Sequence, residues 1–600
     1  MKLLLIVLLP LAGVVLPLLA DRFGRAYCAI AAGIPTLIAF VALLTFAPEV
    51  LGGEVIVESW PWIEQVGLDF AFRLDGLGYL FALLILGIGL LIVTYAYSYL
   101  HEDDPIGRFY SMLMLFMGAM LGVVLSENLI LLALFWELTS LSSFLLIGYW
   151  SHKDVARRGA RMALAITGAG GLCMFGGVIV LGNIAGSFNL SVVLESADLI
   201  QNHDLYLPAL FLILAGAFTK SAQFPFHFWL PNAMTAPTPV SAYLHSATMV
   251  KAGVFLLARL HPALAGTDAW FLTVTFVGLA TLTVGAYVAF YKHDLKGLLA
   301  YSTISHLGLI TVLFGIGTPF AVFVGLFHIM NHAAFKASLF MTAGIVDHET
   351  GTRDIRKLGG LRKLMPLTMI VGLIGAASMA GVPFFNGFLS KEMFFDATWQ
   401  IPAMEAYPWL VPAIATFAGI FSVAYSIRFV HDVFFGEEVE TPKHAHDPPK
   451  IMLLPPAVLV VICVVVGVVP GYFDGFVEVV TKGALFGGAD GDMEHFHIKL
   501  WHGFGAPLVM SIIAFAAAFA IYPLRHKLYA FFEDNWEPLT GEGVFEELRS
   551  GVTVASRIIA NCLENGSLQR YLVLLIATAI AAAAVPFAQH GFEPGSLAPT

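Results

Sequence analysis

Long apolar runs separated by short polar stretches extend along almost the whole chain. A helix needs roughly 20 mainly apolar residues to cross a bilayer, and the runs are close to that length. They predict about sixteen membrane-spanning helices, at residues 2–20, 26–46, 75–100, 109–126, 128–150, 160–184, 207–229, 238–260, 270–291, 296–316, 319–345, 366–400, 407–435, 451–472, 498–524 and 571–590. The pattern therefore predicts an all-α, polytopic membrane protein.

Helix-breaking residues interrupt the apolar pattern at two places, and a lysine lies beside each. Residues 218–253, FTKSAQFPFHFWLPNAMTAPTPVSAYLHSATMVKAG, contain four prolines after Lys220. Residues 378–392, SMAGVPFFNGFLSKE, contain one proline and two glycines before Lys391. Proline removes a backbone donor, and freed backbone groups at membrane depth persist only where protein or a wet cavity surrounds them. Ordinary kinks are one explanation, but two breaks that each adjoin a lysine favour a transporter built from inverted repeats.

Residues 528–570 are too polar to span a membrane. Apolar residues recur among them at three-to-four spacing, as on one face of a helix. This periodicity predicts an amphipathic helix that lies on the membrane surface or against partner helices.

The distribution of charge predicts the orientation of the helices. Only 12% of the 600 residues are charged, about half the share in a soluble domain. Basic residues concentrate in the loops at 151–161, 292–296, 352–363 and 524–527. Because cytoplasmic loops of membrane proteins are enriched in Lys and Arg, we expect these loops in the cytoplasm and the N-terminus on the opposite side.

The sequence contains no motif that indicates a cofactor. The 4 cysteines are scattered without a C-x-x-C pair, which argues against a disulfide framework, a zinc site and an iron–sulfur cluster. No dinucleotide, nucleotide, haem-attachment or flavin pattern occurs. We therefore predict no cofactor and no metal site, and ion movement rather than redox or hydrolytic chemistry in this chain.

Ionisable side chains within the predicted spans are the candidates for function. A charge at the bilayer centre costs at least roughly 2.5–3.5 kcal/mol, so each should face the bundle interior. The candidates for a proton pathway are Glu137, Lys220, His245, Lys251, His328, His332, Lys336 and Lys391, with Ser302 and His306 as secondary candidates.

Three of the candidates form a stripe on one predicted helix. His328, His332 and Lys336 are four residues apart and therefore share one face. Histidine titrates near neutral pH, so this face can form a proton wire. Ser302 and His306 have the same spacing on the preceding helix. A histidine among apolar residues is more often a core residue than a relay member, and this alternative stays open for His306.

Glu137 and Lys220 are the natural pair of opposite charge. Their attraction would keep Lys220 protonated and Glu137 ionised, and their separation would favour release of the lysine proton. Two other lysines have simpler explanations. Lys251 can end its helix with its amine reaching towards the interface, although it lies far from the end of its span near residue 260. Lys296 is expected at the cytoplasmic interface.

Several stretches resemble the antiporter-like subunits shared by respiratory complex I and Mrp-type cation/proton antiporters. They are FWELTSLSSFLLIGYW, TKSAQFPFHFWLPNAMTAPTPVSAYLHSATMVKAG, DLKGLLAYSTISHLG, HIMNHAAFKASLFMTAG and GVPFFNGFLSKE. WELTSLSSFLLIGYW, KSAQFPFHFWLPNAM and NGSLQRYL are most similar to the large A subunit of the Mrp complex. The resemblance covers essentially the whole chain.

The resemblance implies both a domain organisation and a set of site residues. It implies N-terminal helices, two inverted five-helix antiporter repeats with a broken helix in each, C-terminal helices, a lateral amphipathic helix, and a final helix with a tail, at residues 1–108, 109–260, 261–435, 436–527, 528–570 and 571–600 respectively. The family's proton-path residues fall on Glu137, Lys220, His245, Lys251, His328, His332, Lys336 and Lys391.

From the resemblance we expect a proton-translocating subunit of a multisubunit Na+/H+ antiporter. Such a chain is a secondary transporter subunit, not an enzyme, in the cytoplasmic (inner) membrane of a prokaryote. Its expected partners are other membrane subunits, protons, Na+ or another monovalent cation, and the lipid bilayer, with no nucleic acid. Two alternatives remain: a proton-pumping subunit of a complex I-like NADH:quinone oxidoreductase or membrane-bound hydrogenase, and the membrane partner of an energy-coupled inorganic carbon uptake system.

The chain differs from the family pattern at its C-terminal end. The A subunits of Mrp complexes usually continue into further membrane helices, whereas this chain stops soon after the span at 571–590. We expect either that the remaining part is a separate polypeptide or that the protein belongs to a related complex.

Overall fold

The computed structural model describes residues 2–590, except 400, 488–490, 492, 502, 536–540 and 565. Helices dominate it, as predicted. They are α1 (Lys2–Ala12), α2 (Leu16–Ala20), α3 (Arg25–Leu44), α4 (Ala47–Leu51), α5 (Gly76–Tyr99), α6 (Ile106–Leu125), α7 (Leu129–Ile147), α8 (Asp154–Ala185), α9 (Leu190–Glu195), α10 (Ala197–Gln201), α11 (Tyr206–Lys220), α12 (Trp229–Asn232), α13 (Thr238–Ser246), α14 (Lys251–Arg259), α15 (His261–Leu264), α16 (Asp268–Tyr291), α17 (Leu295–Ile316), α18 (Pro319–Thr350), α19 (Pro366–Ala380), α20 (Asn386–Trp399), α21 (Leu410–Val430), α22 (Lys450–Val468), α23 (Asp474–Leu485), α24 (Ala506–Ile521), α25 (Arg525–Asn535), α26 (Gly541–Leu563) and α27 (Leu568–His590).

The membrane-spanning character of the chain is confirmed. Among the described residues, 14 helical segments are long and apolar enough to cross a bilayer. Two further predicted spans begin with shorter apolar helices, Tyr206–Lys220 and Pro366–Ala380. These two are short because the predicted breaks end them, which is the effect expected of proline and glycine.

One short element departs from the all-α prediction. Residues of the loop predicted between the second and third spans form an antiparallel hairpin, β1 (Ile56–Ile63) and β2 (Leu68–Leu74). Exposure alternates over the first six residues of β1, where Ile56, Glu58 and Trp60 are partly buried, as the two-residue period of a strand requires. The connection closes at Gly67, whose φ of 66° lies in the left-handed region that glycine adopts without strain.

The chain divides into two compact units, residues 1–536 and 537–600. The second unit contains α26 and α27. Helix α26 covers residues 541–563 of the predicted amphipathic segment 528–570, while residues 528–535 belong to α25 of the first unit. The predicted tail at 591–600 lies outside the described residues. The lateral position of α26 and the predicted repeat boundaries stay predictions.

Helix α18 is central to the first unit. It packs against α13, α17, α19, α20 and α22. It begins at Pro319 after Thr318, whose hydroxyl accepts a hydrogen bond from Ala321 N, the capping arrangement expected at a helix N-terminus. Because helices surround it, its polar side chains from His328 to Thr342 are buried.

A buried cluster of four charges ties helix ends together on the expected extracytoplasmic side. Arg259, the last residue of α14, binds both carboxylate oxygens of Asp75, with one distance of 2.9 Å. Arg73 lies 3.0 Å from the same carboxylate and 3.2 Å from Glu127. Asp75 also accepts a bond from Gly78 N and so caps α5. The cluster joins β2, α5, α14 and the loop before α7 with two positive and two negative charges.

Candidate functional site

The first predicted break places two lysines at helix ends. Helix α11 ends at Lys220, and the chain continues through the short α12 before α13 begins. A second interruption follows at residues 247–250, and α14 begins at Lys251. Both lysine side chains are fully buried, with 0% exposure. The break therefore positions two amines inside the bundle, each beside backbone that has left the helical ladder.

Lys220 reaches the turn of α7 that carries Glu137. Its ammonium donates to Ser140 Oγ at 2.7 Å and to Trp136 O at 3.3 Å, and it lies 5.3 Å from the centre of the Trp136 ring. In the described part of the chain, no carboxylate oxygen lies within 4.0 Å of this amine. Lys220 thus contacts the turn of α7 that carries Glu137, but the two charged groups are not in direct contact.

Glu137 points instead towards α8. A Cβ added at Gly171 would overlap Glu137 Oε1, so the glycine is what admits the carboxylate. Oε1 is buried and has no hydrogen-bond partner among the described residues. Among the described residues, no hydrogen bond therefore fixes Oε1 of the carboxylate.

The next candidates, His245 and Lys251, lie between the first break and α18. The Lys251 ammonium donates to Ile329 O of α18 at 2.8 Å, so it points into the bundle rather than to an interface. His245 is 0% exposed. Within the described residues neither of its ring nitrogens has a hydrogen-bond partner, so no direct bond continues the predicted path from Lys220 through His245.

The predicted stripe on α18 is buried and meets α17. Lys336 donates to Ser302 Oγ at 2.7 Å and contacts Met379 Sδ at 3.2 Å. His328 Nε2 lies 3.0 Å from His306 Nδ1. The secondary candidates Ser302 and His306 are thus direct partners of the stripe. The alternative that His306 is a core residue with satisfied hydrogen bonds stays open.

The remaining contacts of the stripe extend towards α20. His328 Nδ1 lies 2.8 Å from Ser390 Oγ. The ring of His332 lies 5.2 Å from that of His306, centre to centre, but in the described part of the chain its nitrogens have no hydrogen-bond partner. His328 therefore links two neighbouring helices, α17 and α20.

The second predicted break brings Lys391 onto the end of the preceding half-helix. Helix α19 ends at Ala380 and α20 begins at Asn386. The Lys391 ammonium donates to Met379 O at 2.6 Å and to Ala380 O at 3.2 Å. These are unpaired carbonyls at a helix C-terminus, where the partial negative charge of the helix favours a cation. Gly387 permits this packing, because a Cβ there would overlap Ser378 O.

Sequence reasoning missed two residues that join Lys391 to the histidines. Ser422 Oγ accepts from Lys391 at 2.7 Å and lies 3.1 Å from Tyr425 OH. Tyr425 OH lies 3.4 Å from His306 Nε2. Both belong to α21, three residues apart on one face. That spacing of two hydroxyls in an apolar span was the available signal.

Lys296, expected at the cytoplasmic interface, lies at the start of α17, and that expectation stays a prediction. The side chain is buried, with 2% exposure. Its ammonium donates to Ala236 O at 2.7 Å and to Met234 O at 3.2 Å. The chain between α12 and α13 turns back over α17 and covers the amine, a long-range contact that hydropathy cannot indicate.

These features define a polytopic membrane protein with two broken helices and a buried basic interior. The family model described as "NADH:quinone oxidoreductase/Mrp antiporter, TM" matches residues 126–421. A second, "NADH-Ubiquinone oxidoreductase (complex I), chain 5 N-terminus", matches residues 60–110.

Curated relatives cover nearly the whole chain. The A/B subunit of a probable K(+)/H(+) antiporter of Rhizobium meliloti is 49% identical over 595 residues, which are 98% of this chain and 59% of the relative. The A subunit of the Na(+)/H(+) antiporter of Alkalihalophilus pseudofirmus is 43% identical over 569 residues, which are 90% of this chain and 70% of the relative. The chain thus spans about three fifths to seven tenths of the length of these relatives.

Solved structures agree with the relatives. A chain of the Mrp complex from Dietzia sp. DQ12-45-1b superposes with a TM-score of 0.87 at 34% identity, covering 100% of this chain and 64% of that chain. A chain of the membrane-bound sulfane sulfur reductase, an archaeal respiratory membrane complex, has a TM-score of 0.72 at 24% identity and shares the fold. This chain belongs to the A-subunit family of Mrp-type antiporters, within the larger family shared with NADH:quinone oxidoreductase membrane subunits.

Proposed function

We propose that the chain carries protons for a multisubunit monovalent cation/proton antiporter in the cytoplasmic membrane of a prokaryote. The observation that carries this proposal is a set of buried lysines whose partners are neutral groups. Lys220, Lys251 and Lys336 are each 0% exposed. Among the described residues, none has a carboxylate oxygen within 4.0 Å of its ammonium.

A purely structural role does not explain why these lysines are buried beside neutral partners. Taking an ammonium out of water costs several kcal/mol per ion, and only good ion-pair geometry offsets that cost. Here the partners are a serine, backbone carbonyls and a thioether. Neutral partners of this kind suit a group that alternates between its protonated and neutral forms, which is what proton transfer requires.

The proposed path follows the predicted order of residues. It begins at Glu137 and Lys220, continues through His245 and Lys251, and reaches the stripe on α18 before Lys391. Approach of Glu137 would stabilise the Lys220 ammonium, and withdrawal towards Gly171 would favour proton release, because the attraction between charges falls with distance. Cation movement in a partner subunit would drive this change of separation.

The transported cation is proposed as Na+ or another monovalent cation. One relative is named as part of a K(+)/H(+) antiporter, and another as part of a Na(+)/H(+) antiporter. We propose that the chain acts together with other membrane subunits, and that the amphipathic α26 lies against them or on the bilayer surface.

Transport by the purified complex in proteoliposomes tests the proposal. A pulse of Na+ or K+ should move protons, seen with an internal pH dye. Lys220→Ala and Glu137→Ala should each abolish the signal. Lys363→Ala is the matched control, because Lys363 is an exposed residue paired with Glu438 at 2.7 Å. If both pathway variants retain wild-type exchange, the proposed mechanism is wrong.

A second candidate is a redox-driven proton pump, because the matched family description includes NADH:quinone oxidoreductase. The same liposomes distinguish the two. The pump would be favoured if proton movement requires electron transfer by a co-purifying redox protein and does not respond to cation pulses. Proton movement on a cation pulse alone favours the antiporter.

A further inference from the structure

Two hydroxyl side chains of α21 lie between the amine of Lys391 and the buried histidines. Ser422 is 5% exposed and Tyr425 is 0% exposed. The distances along the sequence of contacts are 2.7 Å from Lys391 to Ser422, 3.1 Å from Ser422 to Tyr425, and 3.4 Å from Tyr425 to His306. His306 then contacts His328 at 3.0 Å.

We propose that Ser422 and Tyr425 form a hydroxyl bridge through which protons pass between Lys391 and the His306–His328 pair. The proposal deepens the proposed function and rests on it. It assigns a relay role to two residues outside the predicted pathway and makes α21 part of the route.

The contacts of Lys391 show why the bridge matters. An ammonium has three hydrogens to donate and no acceptor. Two of its partners, Met379 O and Ala380 O, are amide carbonyls, which accept a hydrogen bond but cannot pass a proton on. Ser422 is the third partner and carries a hydrogen of its own. Among the described residues it is the one contact of Lys391 that can relay a proton.

The charge on Lys391 sets the direction of every bond in the bridge. Because the ammonium only donates, Ser422 Oγ accepts from it and turns its own hydrogen towards Tyr425. Tyr425 then donates to His306 Nε2, and His306 donates from Nδ1 to Nε2 of His328. This assigns both rings the tautomer with hydrogen on Nδ1, since the bond at one nitrogen decides the other.

A single transfer balances without any other reactant. The N–H bond of Lys391 that faces Ser422 breaks as a new O–H bond forms on Ser422. The original hydrogens of Ser422 and Tyr425 each move one position, and the last forms an N–H bond at His306 Nε2. Lys391 ends as a neutral amine, His306 as an imidazolium, and both hydroxyls remain intact. Rotation of the hydroxyls restores the starting direction.

Among the described residues, the contacts of Lys336 and His332 provide no parallel bonded route to His306. Lys336 bonds to Ser302 and to the sulfur of Met379. In the described part of the protein, the nitrogens of His332 have no hydrogen-bond partner. The Tyr425–His306 contact, at 3.4 Å the longest of the bridge, is therefore the step at which a small shift of α21 against α17 would interrupt transfer.

Removal of one hydroxyl tests the bridge. Tyr425→Phe keeps the ring and its packing but breaks the route, so cation-driven proton flux of the complex in proteoliposomes should fall by about tenfold or more, as for loss of other positioned proton-transfer groups. The ratio of flux in H2O to flux in D2O should be larger for Tyr425→Phe than for wild type, because proton transfer then limits the rate. Tyr110→Phe is the matched control: Tyr110 is also buried and donates to Val93 O at 2.9 Å, away from the pathway.

The serine provides a second test that does not depend on the tyrosine variant folding. Ser422→Ala should lose flux as Tyr425→Phe does, and Ser422→Thr, which restores a hydroxyl, should recover most of it. If Ser422 had only a structural role, the recovery of proton flux would not depend on the presence of a hydroxyl. Wild-type flux in Ser422→Ala or in assembled Tyr425→Phe overturns the bridge.

The outcome also separates this inference from the proposed function. If wild-type complex and Tyr110→Phe show no cation-driven flux at all, the proposed function fails. If they exchange normally and the Ser422 and Tyr425 variants match them, only the bridge fails.

Discussion

Neutralising Asp75 should destabilise the protein far more than its position at the edge of a span suggests. In Asp75→Asn the amide oxygen can still accept from Gly78 N and cap α5. The negative charge is lost, however, and two buried guanidinium groups, those of Arg73 and Arg259, are left with the single carboxylate of Glu127. Their side chains are only 4% and 2% exposed, so water cannot replace the missing charge.

The magnitude follows from this imbalance. Removing one partner from a buried ion pair costs about 3–5 kcal/mol, because the other charge stays buried without compensation. Since asparagine preserves the shape and the cap, we expect a loss near the lower value, about 3 kcal/mol in the free energy of unfolding. This corresponds to about a hundredfold change in the unfolding equilibrium.

Asp354→Asn is the matched control. Asp354 also caps a turn, by accepting from Arg356 N, and also binds an arginine through two nitrogens, at 3.0 and 2.9 Å. The arginine is 63% exposed, and exposed pairs contribute about 0–1 kcal/mol. Guanidinium unfolding of the detergent-purified protein, followed by tryptophan fluorescence, should therefore give a large shift for Asp75→Asn and a small one for the control.

The pH dependence of unfolding shows which protonation state of Asp75 stabilises the protein. Burial alone would raise the pKa of Asp75, but the charges of Arg259 and Arg73 outweigh it and hold the pKa well below its usual range. The carboxylate therefore contributes stability above its unfolded pKa of about 3.9, and this contribution is lost as pH falls through the lower folded pKa. The difference between wild type and Asp75→Asn should be constant from about pH 6 to 8 and shrink below about pH 4. Equal stability of the two proteins at pH 7 would refute the reasoning.

Three further variants test the site. Gly171→Ala should abolish cation-driven proton flux without removing any charge, because the new Cβ displaces Glu137. In the control Gly176→Ala the new Cβ would have its nearest neighbour 3.8 Å away, and flux should be unchanged. Equal flux in the two variants would contradict the placement of the carboxylate. Lys391→Met should lower flux by at least about tenfold and lower the thermal midpoint of the purified protein, because two carbonyls of α19 lose their donor; an unchanged midpoint would show that these bonds contribute nothing. Lys296→Met should reduce flux measured in the same liposomes while the complex still assembles, since the amine anchors the chain after the first break; unimpaired flux would assign Lys296 to packing alone.

Much of the fold followed from local sequence. Hydropathy predicted the helical spans because insertion into a bilayer depends on the length of each apolar run. Proline and glycine predicted both breaks because their effect on a helix is local. The hairpin at residues 56–74 was missed, since IVESWPWI shows no regular alternation of apolar and polar residues and was assigned to a loop.

The candidate site was predicted less completely. Charges in an apolar chain are rare, which made Lys220, Lys336 and Lys391 conspicuous in the sequence alone. Serine and tyrosine are common in spans, and so Ser422 and Tyr425 were not singled out. The buried state of Lys296 and the Arg73–Asp75–Arg259 cluster were also missed, because each depends on segments far apart in the chain.

The amino-acid sequence by itself determined that this is a multi-pass helical membrane protein, where its helices break, and that Lys220, Lys251 and Lys336 lie inside it. Only the tertiary structure decided what each group meets: Lys220 bonds to Ser140 rather than to Glu137, and Lys391 binds the end of α19 and a serine of α21. The physical reason is that span formation is set along one helix, whereas partners across the bundle depend on how each helix is rotated and how deeply its neighbours pack against it.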